Sequence, residues 1–295
     1  MSGLSDYTSK NLLNYLTGQV SEPALPSVWM ALFTAIPTSD AGTGGTEVSG
    51  GSYARQQVAG QATTNGTTAA GNATLHFAST PSWIVAGMSV YDLTSGSVIP
   101  GGTTVLSTTG TTVVMSANAA GAGVGNGDNI AFSAFSAATG STPSSITNNG
   151  IVTFVTPTAG WGNALAWGLY DAATVGNLLA YDWLGNFGWL PATVSSASPG
   201  ILTVKAHGYS ASDPIVFSTE FGGTAPSFSQ SNFTNTVGTL LVTSPATDSF
   251  SLTNAGTAVN TSSTGSGMVR KITVQNIATN VVASFAASQL TLQAA

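Results

Sequence analysis

The chain contains no cysteine, which excludes disulfides and thiolate metal ligands and leaves the redox compartment open. Charge is nearly as scarce. Asp, Glu, Lys and Arg make up 5% of the 295 residues, against about 25% in an ordinary globular domain. The five basic residues, Lys10, Arg55, Lys205, Arg270 and Lys271, are spread along the chain, and only the last two adjoin. Nucleic-acid binding needs several cations on one face to neutralise phosphates; at a net charge of −6 this chain falls outside that class. No apolar run approaches the roughly 18–20 residues that cross a bilayer as a helix, so no membrane insertion is expected. The opening residues Met1 to Asp6 have neither a basic n-region nor an apolar h-region, so no signal peptide is expected and the chain is expected to fold in the cytosol.

Against these absences, 42% of residues are hydrophobic, enough to build real cores. They recur in short runs rich in Val, Ile, Phe and Trp, separated by Gly, Ser, Thr, Asn and Pro, which is the texture of a mainly β protein. One helix is expected near the start. Ser5 or Asp6 caps it, Leu12, Leu13, Tyr15 and Leu16 share a face, and Gly18 stops it. Pro23 and Pro26 bound a linker. Val28 to Ala35 reads as a strand buried on both faces, Pro37 to Gly51 as a loop, and Tyr53 to Ala59 as a half-buried strand. Further strands are expected at Thr74–Phe77, Met88–Tyr91, Thr103–Leu106, Thr111–Met115, Asn129–Phe132, Gly150–Val155, Ala164–Tyr170 and Leu178–Leu184. A last group follows at Ile201–Lys205, Ile215–Thr219, Gly238–Thr243 and Ser249–Thr253, with strand character returning between Lys271 and Leu292.

Shifts in texture divide the chain. A β-sandwich-like core domain with the one short N-terminal helix is expected from residues 1–72, 134–195 and the closing strands 270–295. Two small β-modules, 73–133 and 196–269, interrupt it; loops tolerate such insertions because closure entropy grows slowly with length.

Catalytic chemistry finds little to work with. His76 and His207 lie in different modules, and a metal site would have to bridge both. No G-x-S-x-G elbow marks a nucleophile. The glycine-rich run Gly121 to Asp128 lacks the Lys-Ser/Thr of a phosphate loop. Asp171 and Asp182 are the only carboxylates placed to act as a glycosidase pair. Asp171 reads better as the cap of its own turn, and Asp182, between Tyr181 and Trp183, as a solvated side chain. No catalytic residue, cofactor or metal site is therefore assigned. The densest aromatic run, Trp183 to Trp189, makes Trp183, Phe187 and Trp189 the candidate interface residues, either as a subunit contact or as a sugar-stacking platform; a core contribution is the competing reading.

Several segments carry a resemblance. Leu4-Ser5-Asp6-Tyr7, Leu12 to Gly18, Val28 to Thr34 and, most specifically, Glu47-Val48-Ser49-Gly50-Gly51-Ser52-Tyr53-Ala54-Arg55-Gln56 are similar to a family of small tailed-phage proteins. These are often labelled tail fibre or virion structural proteins. Ala166 to Ala172, Gly176 to Tyr181 and Phe285 to Leu292 fit the same pattern, while the two modules are extra. The resemblance implies a non-enzymatic virion subunit, assembled in the host cytoplasm, serving as a tail appendage or as capsid decoration. Its expected partners are further copies of itself in a symmetric oligomer such as a trimer, other virion proteins, and in some roles host surface glycan. The alternative is a carbohydrate-binding or polysaccharide-degrading receptor-binding module. Within the family pattern, Glu47 and Arg55 are expected to pair across the turn between them, at a worth of ~0–1 kcal/mol if exposed.

Overall fold

The structure is a computed structural model describing residues 3–19, 27–37, 45–140, 144–219, 221–228 and 240–294. The linker at Pro23 and Pro26, loop residues 38–44 and the first two residues of the strand expected from Gly238 lie outside them, as do residues 141–143.

Among the described residues the chain is mainly β, with one helix. The first elements are β1 (Gly3–Leu4), α1 (Asp6–Leu16), β2 (Val28–Ala35), β3 (Thr46–Glu47) and β4 (Gln56–Thr63). They are followed by β5 (Thr74–His76), β6 (Ser89–Asp92), β7 (Val105–Thr108), β8 (Thr112–Met115) and β9 (Asn129–Ser133). The aromatic stretch forms β10 (Ser144–Thr147), β11 (Val152–Thr153), β12 (Gly162–Ala164), β13 (Ala166–Tyr170) and β14 (Leu178–Trp183). Next come β15 (Leu190–Val194), β16 (Ile201–Thr203), β17 (Ile215–Ser218), β18 (Leu240–Thr243), β19 (Ser249–Asn254), β20 (Thr257–Ala258) and β21 (Gly265–Lys271). The chain closes with β22 (Gln275–Ile277), β23 (Ser284–Phe285) and β24 (Thr291–Ala294).

The main sheet runs β1-β14-β13-β2-β4-β9-β6, with β3 added beside β2. Residues 73–133 thus give β6 and β9 to this sheet and keep β5, β8 and β7 as a separate three-stranded sheet. Residues 190–271 form a seven-stranded sheet of their own, ordered β17-β21-β15-β16-β19-β18 with β20 beside β19. The tail returns to earlier strands: β22 pairs β12, β23 pairs β11 and β24 pairs β10.

Side chains alternate across a strand, and both sides of the main sheet are covered. Met30 and Leu32 of β2 enter a large core shared with Trp167, Phe132, Leu75 and the tail residues Phe285 and Leu290. Ala31 and Phe33 face the other way, into a cluster with Ala166, Tyr181 and Trp183 that also takes in Val216 and Ile272. Val216 belongs to the second sheet, whose opposite face, with Ile215, Phe217, Phe250 and Val269, builds a core of its own. The second sheet is therefore layered onto the main one, with the cluster around Phe33 and Trp183 between them.

Three local departures from the sequence reading have clear causes. The strand expected from Tyr53 starts at Gln56, because Gly50, Gly51 and Ser52 all adopt left-handed backbone and Tyr53 closes their turn with an N–H to the Gly50 carbonyl at 2.8 Å. The strand expected over Ala164–Tyr170 breaks at Leu165 as the chain changes partner from β22 to β2 and β14. Strands β10, β15 and β21 were not expected, since Ser, Thr, Gly and Pro dilute their apolar pattern and their partners define them. The helix is where it was expected: Ser5 Oγ accepts from the Thr8 amide at 3.2 Å, and Gly18 follows at φ 72°.

Candidate functional site

Two places concentrate the chain's few charges. The first is the turn between β3 and β4. Arg55 Nε donates to Glu47 Oε1 at 2.9 Å and a terminal nitrogen to Oε2 at 2.8 Å, a bidentate fork suited to a carboxylate. The other terminal nitrogen donates to the carbonyls of Ala172 and Val175 at 3.0 and 2.7 Å, and the guanidinium lies 3.5 Å over the Tyr170 ring. Tyr53 completes the set: its hydroxyl donates to Glu47 Oε1 at 3.0 Å and accepts from the Leu32 amide at 2.9 Å. The expected pair is present, but the Arg55 side chain is only 8% exposed and that of Glu47 26%, so it is not the exposed pair assumed from sequence. It ties the β3–β4 turn to the β13–β14 connection.

The electrostatics follow from this enclosure. Burial works against the charged guanidinium, yet the hydrogen bonds and charge of Glu47 outweigh it and hold Arg55 above its ordinary pKa. Burial, with Glu47 nearby, pushes the phenols of Tyr53 and Tyr170 up. These are groups fixed in one protonation state, suited to holding a shape.

The second place lies where β14 meets β21. Arg270 donates to Asp182 Oδ1 at 2.6 Å and to the Gly185 carbonyl at 2.7 Å, and the same Asp182 oxygen accepts the Trp183 amide at 2.7 Å. Both side chains are under a tenth exposed. Asp182 is therefore buried, not solvated: β14 has a core on each side, so the alternation that should have turned Asp182 to water has no wet face. Next to it, Lys271 pairs with Asp213 at 2.7 Å. Burial opposes ionisation of Asp213, but the hydrogen bonds from Lys271 and the Ser210 amide prevail and lower its pKa.

The three candidate interface residues separate. Trp183 is 4% exposed and sits in the cluster between the two sheets. Trp189 packs partly buried against Phe221, ring centroids 5.2 Å apart. Phe187 is 40% exposed and stands at the mouth of a pocket of about 420 Å³ whose lining includes Asn186, Thr273, Gln275, Ser284 and Ser288. The structure thus brings Phe187 to a surface cavity; apart from its neighbour Asn186, the polar side chains that join it come from the tail, more than eighty positions away, where no sequence pattern marks them.

The remaining candidates have local partners. Asp171 accepts the Asn177 amide at 2.6 Å and its side-chain NH₂ at 2.7 Å, the turn cap expected. His207 is buried, takes the Tyr209 amide on Nδ1 at 2.9 Å and packs on Phe250; His76 lies in β5. Among the described residues no three His, Cys, Asp or Glu gather as a metal-binding set, and no helix is long and apolar enough to cross a membrane.

No curated protein and no solved structure matches the chain significantly. Residues 3–136 match the family model described as Podophage GP4 fiber I protein gp80. That span runs from β1 through β9 and contains α1 and the whole Glu47–Tyr53–Arg55 turn. Over that span, just under half of the chain's length, the chain is similar to this fibre family.

Proposed function

We propose that this chain is a non-enzymatic structural subunit of a tailed-phage virion, of tail-fibre type, that self-associates and docks on the particle. The family match supports the virion role. In this reading residues 1–72, 134–195 and 270–295 make the core domain, with 73–133 and 196–269 as modules on it; the separate core of the second sheet favours the latter division.

The observation that carries self-association is α1. The helix rests on β14 through its N-terminal side, where the Ser5 amide donates to the Leu179 carbonyl at 2.9 Å, and its half-buried residues include Thr8 and Asn11. Leu12, Leu13 and Leu16, towards its C-terminal end, are 46, 61 and 68% exposed, and at 100° per residue they lie within about 100° of one another on its surface. The helix buries none of its residues and leaves this leucine stripe in water, where a covering surface would be expected.

The proposed occupant of that stripe is a second copy of the chain. Two such helices facing each other would engage far fewer than the roughly 20–30 residues a side of a stable interface. A receiving surface exists at the other end of the main sheet. There a groove of about 270 Å³ is lined by Val58, Val85, Met88, Ala134, Ile151 and Val152, with no charged residue, and Val85 and Ile151 are exposed. A cavity of about 150 Å³ already admits benzene, so this groove takes a leucine side chain. The strand order keeps α1, at β1 and β14, away from the groove at β4 and β9. A head-to-tail contact that closes on itself makes a ring, with both surfaces used on every copy.

Light scattering of the purified chain tests this. The wild type is expected as a closed oligomer, and Leu13→Ser/Leu16→Ser and, separately, Ile151→Glu as monomers. A monomeric wild type, or variants of unchanged mass, would overturn the self-association. Mass spectrometry of purified virions tests the structural role, which fails if the chain is missing from them.

A further inference from the structure

We infer that the pocket beside Phe187 is a binding site for a neutral glycan. Its lining combines one exposed aromatic ring with uncharged amide and hydroxyl side chains: Asn186, Thr273, Gln275, Ser284 and Ser288. Their backbones are engaged in strands and turns, but among the described residues no hydrogen bond engages the side chains of these five, so side-chain donors and acceptors are available to a ligand. A pyranose presents an apolar C–H face that stacks on a ring and a rim of hydroxyls that both donate and accept, which is what amides and hydroxyls answer. No charged side chain lines the cavity. The one cation near the ring, Lys271 at 5.4 Å, is neutralised by Asp213. An anionic sugar therefore finds no counter-charge, and a neutral one needs none.

Both walls are held in place before any ligand arrives. On one side Asn148, buried at 1% exposure, donates to the Ala286 carbonyl and accepts the Leu290 amide, at 2.8 and 2.9 Å, fixing the loop that carries Ser288. On the other, Arg270 grips the Gly185 carbonyl. Gly185 adopts φ +96°, and a Cβ there would lie 2.8 Å from Thr273 Oγ1 and 2.9 Å from the Phe187 ring. Only glycine lets the chain turn so that Phe187 stands over the cavity. The buried Asp182–Arg270 pair thus positions the platform without touching the ligand. Pre-organised walls lower the ordering cost of binding.

The inference does not depend on self-association, because the pocket lies beyond the Trp183 end of β14 and α1 at its Leu178 end. Saturation-transfer NMR and calorimetry on the full chain test it, with maltotetraose, cellotetraose and chitotetraose as neutral probes and tetragalacturonate as the acidic one. At least one neutral probe is expected to bind. Phe187→Ala is expected to weaken it about tenfold or more and Gln275→Ala several-fold, with the oligomeric mass unchanged in both. Equal binding by wild type and Phe187→Ala, preference for the acidic probe, or binding of none of the neutral probes would each overturn the inference.

Discussion

Replacing Asp182 by alanine is expected to destabilise the protein by about 3–5 kcal/mol, the usual consequence of leaving one member of a buried ion pair without its partner. The structure argues for the upper part of that range. Arg270 is 5% exposed, so water cannot replace the lost carboxylate, and the Trp183 amide loses its acceptor as well. Removing both charges, as Asp182→Ala/Arg270→Met, is expected to cost less than Asp182→Ala alone. What remains is mainly the unpaired Trp183 amide and Gly185 carbonyl, each worth about 1–3 kcal/mol when buried unsatisfied. The four proteins of this cycle would be unfolded in urea at pH 7 and 0.15 M salt, following the fluorescence of Trp183 and Trp189 beside the pair. The expected result is a coupling energy of at least about 2 kcal/mol between the two substitutions. Additive losses, or a cost below about 1 kcal/mol for Asp182→Ala, would refute the claim that this pair clamps the two sheets together.

Other outcomes follow from the same geometry. Tyr53 keeps its proton in the folded state beyond the point, near pH 10.0, where the unfolded phenol loses it; stability is therefore expected to hold below that pH and fall above it, with Tyr53→Phe reducing the alkaline slope seen in thermal melts. Asp213 has the opposite sign: its folded pKa lies below the ordinary 3.8, so its contribution is present above that value and lost as pH falls through the lower folded pKa, and Asp213→Asn should flatten the acid limb of a denaturation profile. Gly51→Ala should cost about 2 kcal/mol or more, because φ is +52° and the new Cβ would meet the Ala159 carbonyl oxygen at 2.3 Å; chemical denaturation that finds it neutral would contradict the tight turn.

What the sequence disclosed depended on whether the signal was local. The Ser5 cap, the Gly18 stop and the Asp171 turn involve residues within a few positions of one another, and each was legible. Alternation along β14 was not, because it presumes one wet face. With cores on both sides, Asp182 and Trp183 are both buried, so the solvated carboxylate could not be read correctly, and the core and interface readings of Trp183 could not be told apart. β21, with Gly265, Ser266 and Gly267 at its start, has little strand character of its own; its place between β15 and β17 makes it a strand. The pocket was invisible for a related reason. Phe187 stood out in an aromatic run, but its neighbours Gln275 and Ser288 are ordinary polar residues until the tail folds back beside it.

The layering of the second sheet on the first bears on how such a chain can change over generations. Its entry and exit strands, β15 and β21, are hydrogen-bonded neighbours, with Leu190 opposite Val269. By backbone geometry, residues 190–271 could be cut out and the gap closed with a short turn. Side chains forbid so simple an excision. It would strip Val216 and Arg270 from the far side of the cluster and leave Phe33, Tyr181 and Trp183 bare to water, beside an orphaned carboxylate at Asp182. A lineage that lost this segment would have to recolour that whole face with polar residues in the same stroke. Exchange for another segment bearing the same underside is the easier route, and it leaves the outward surface of the replacement at liberty to differ.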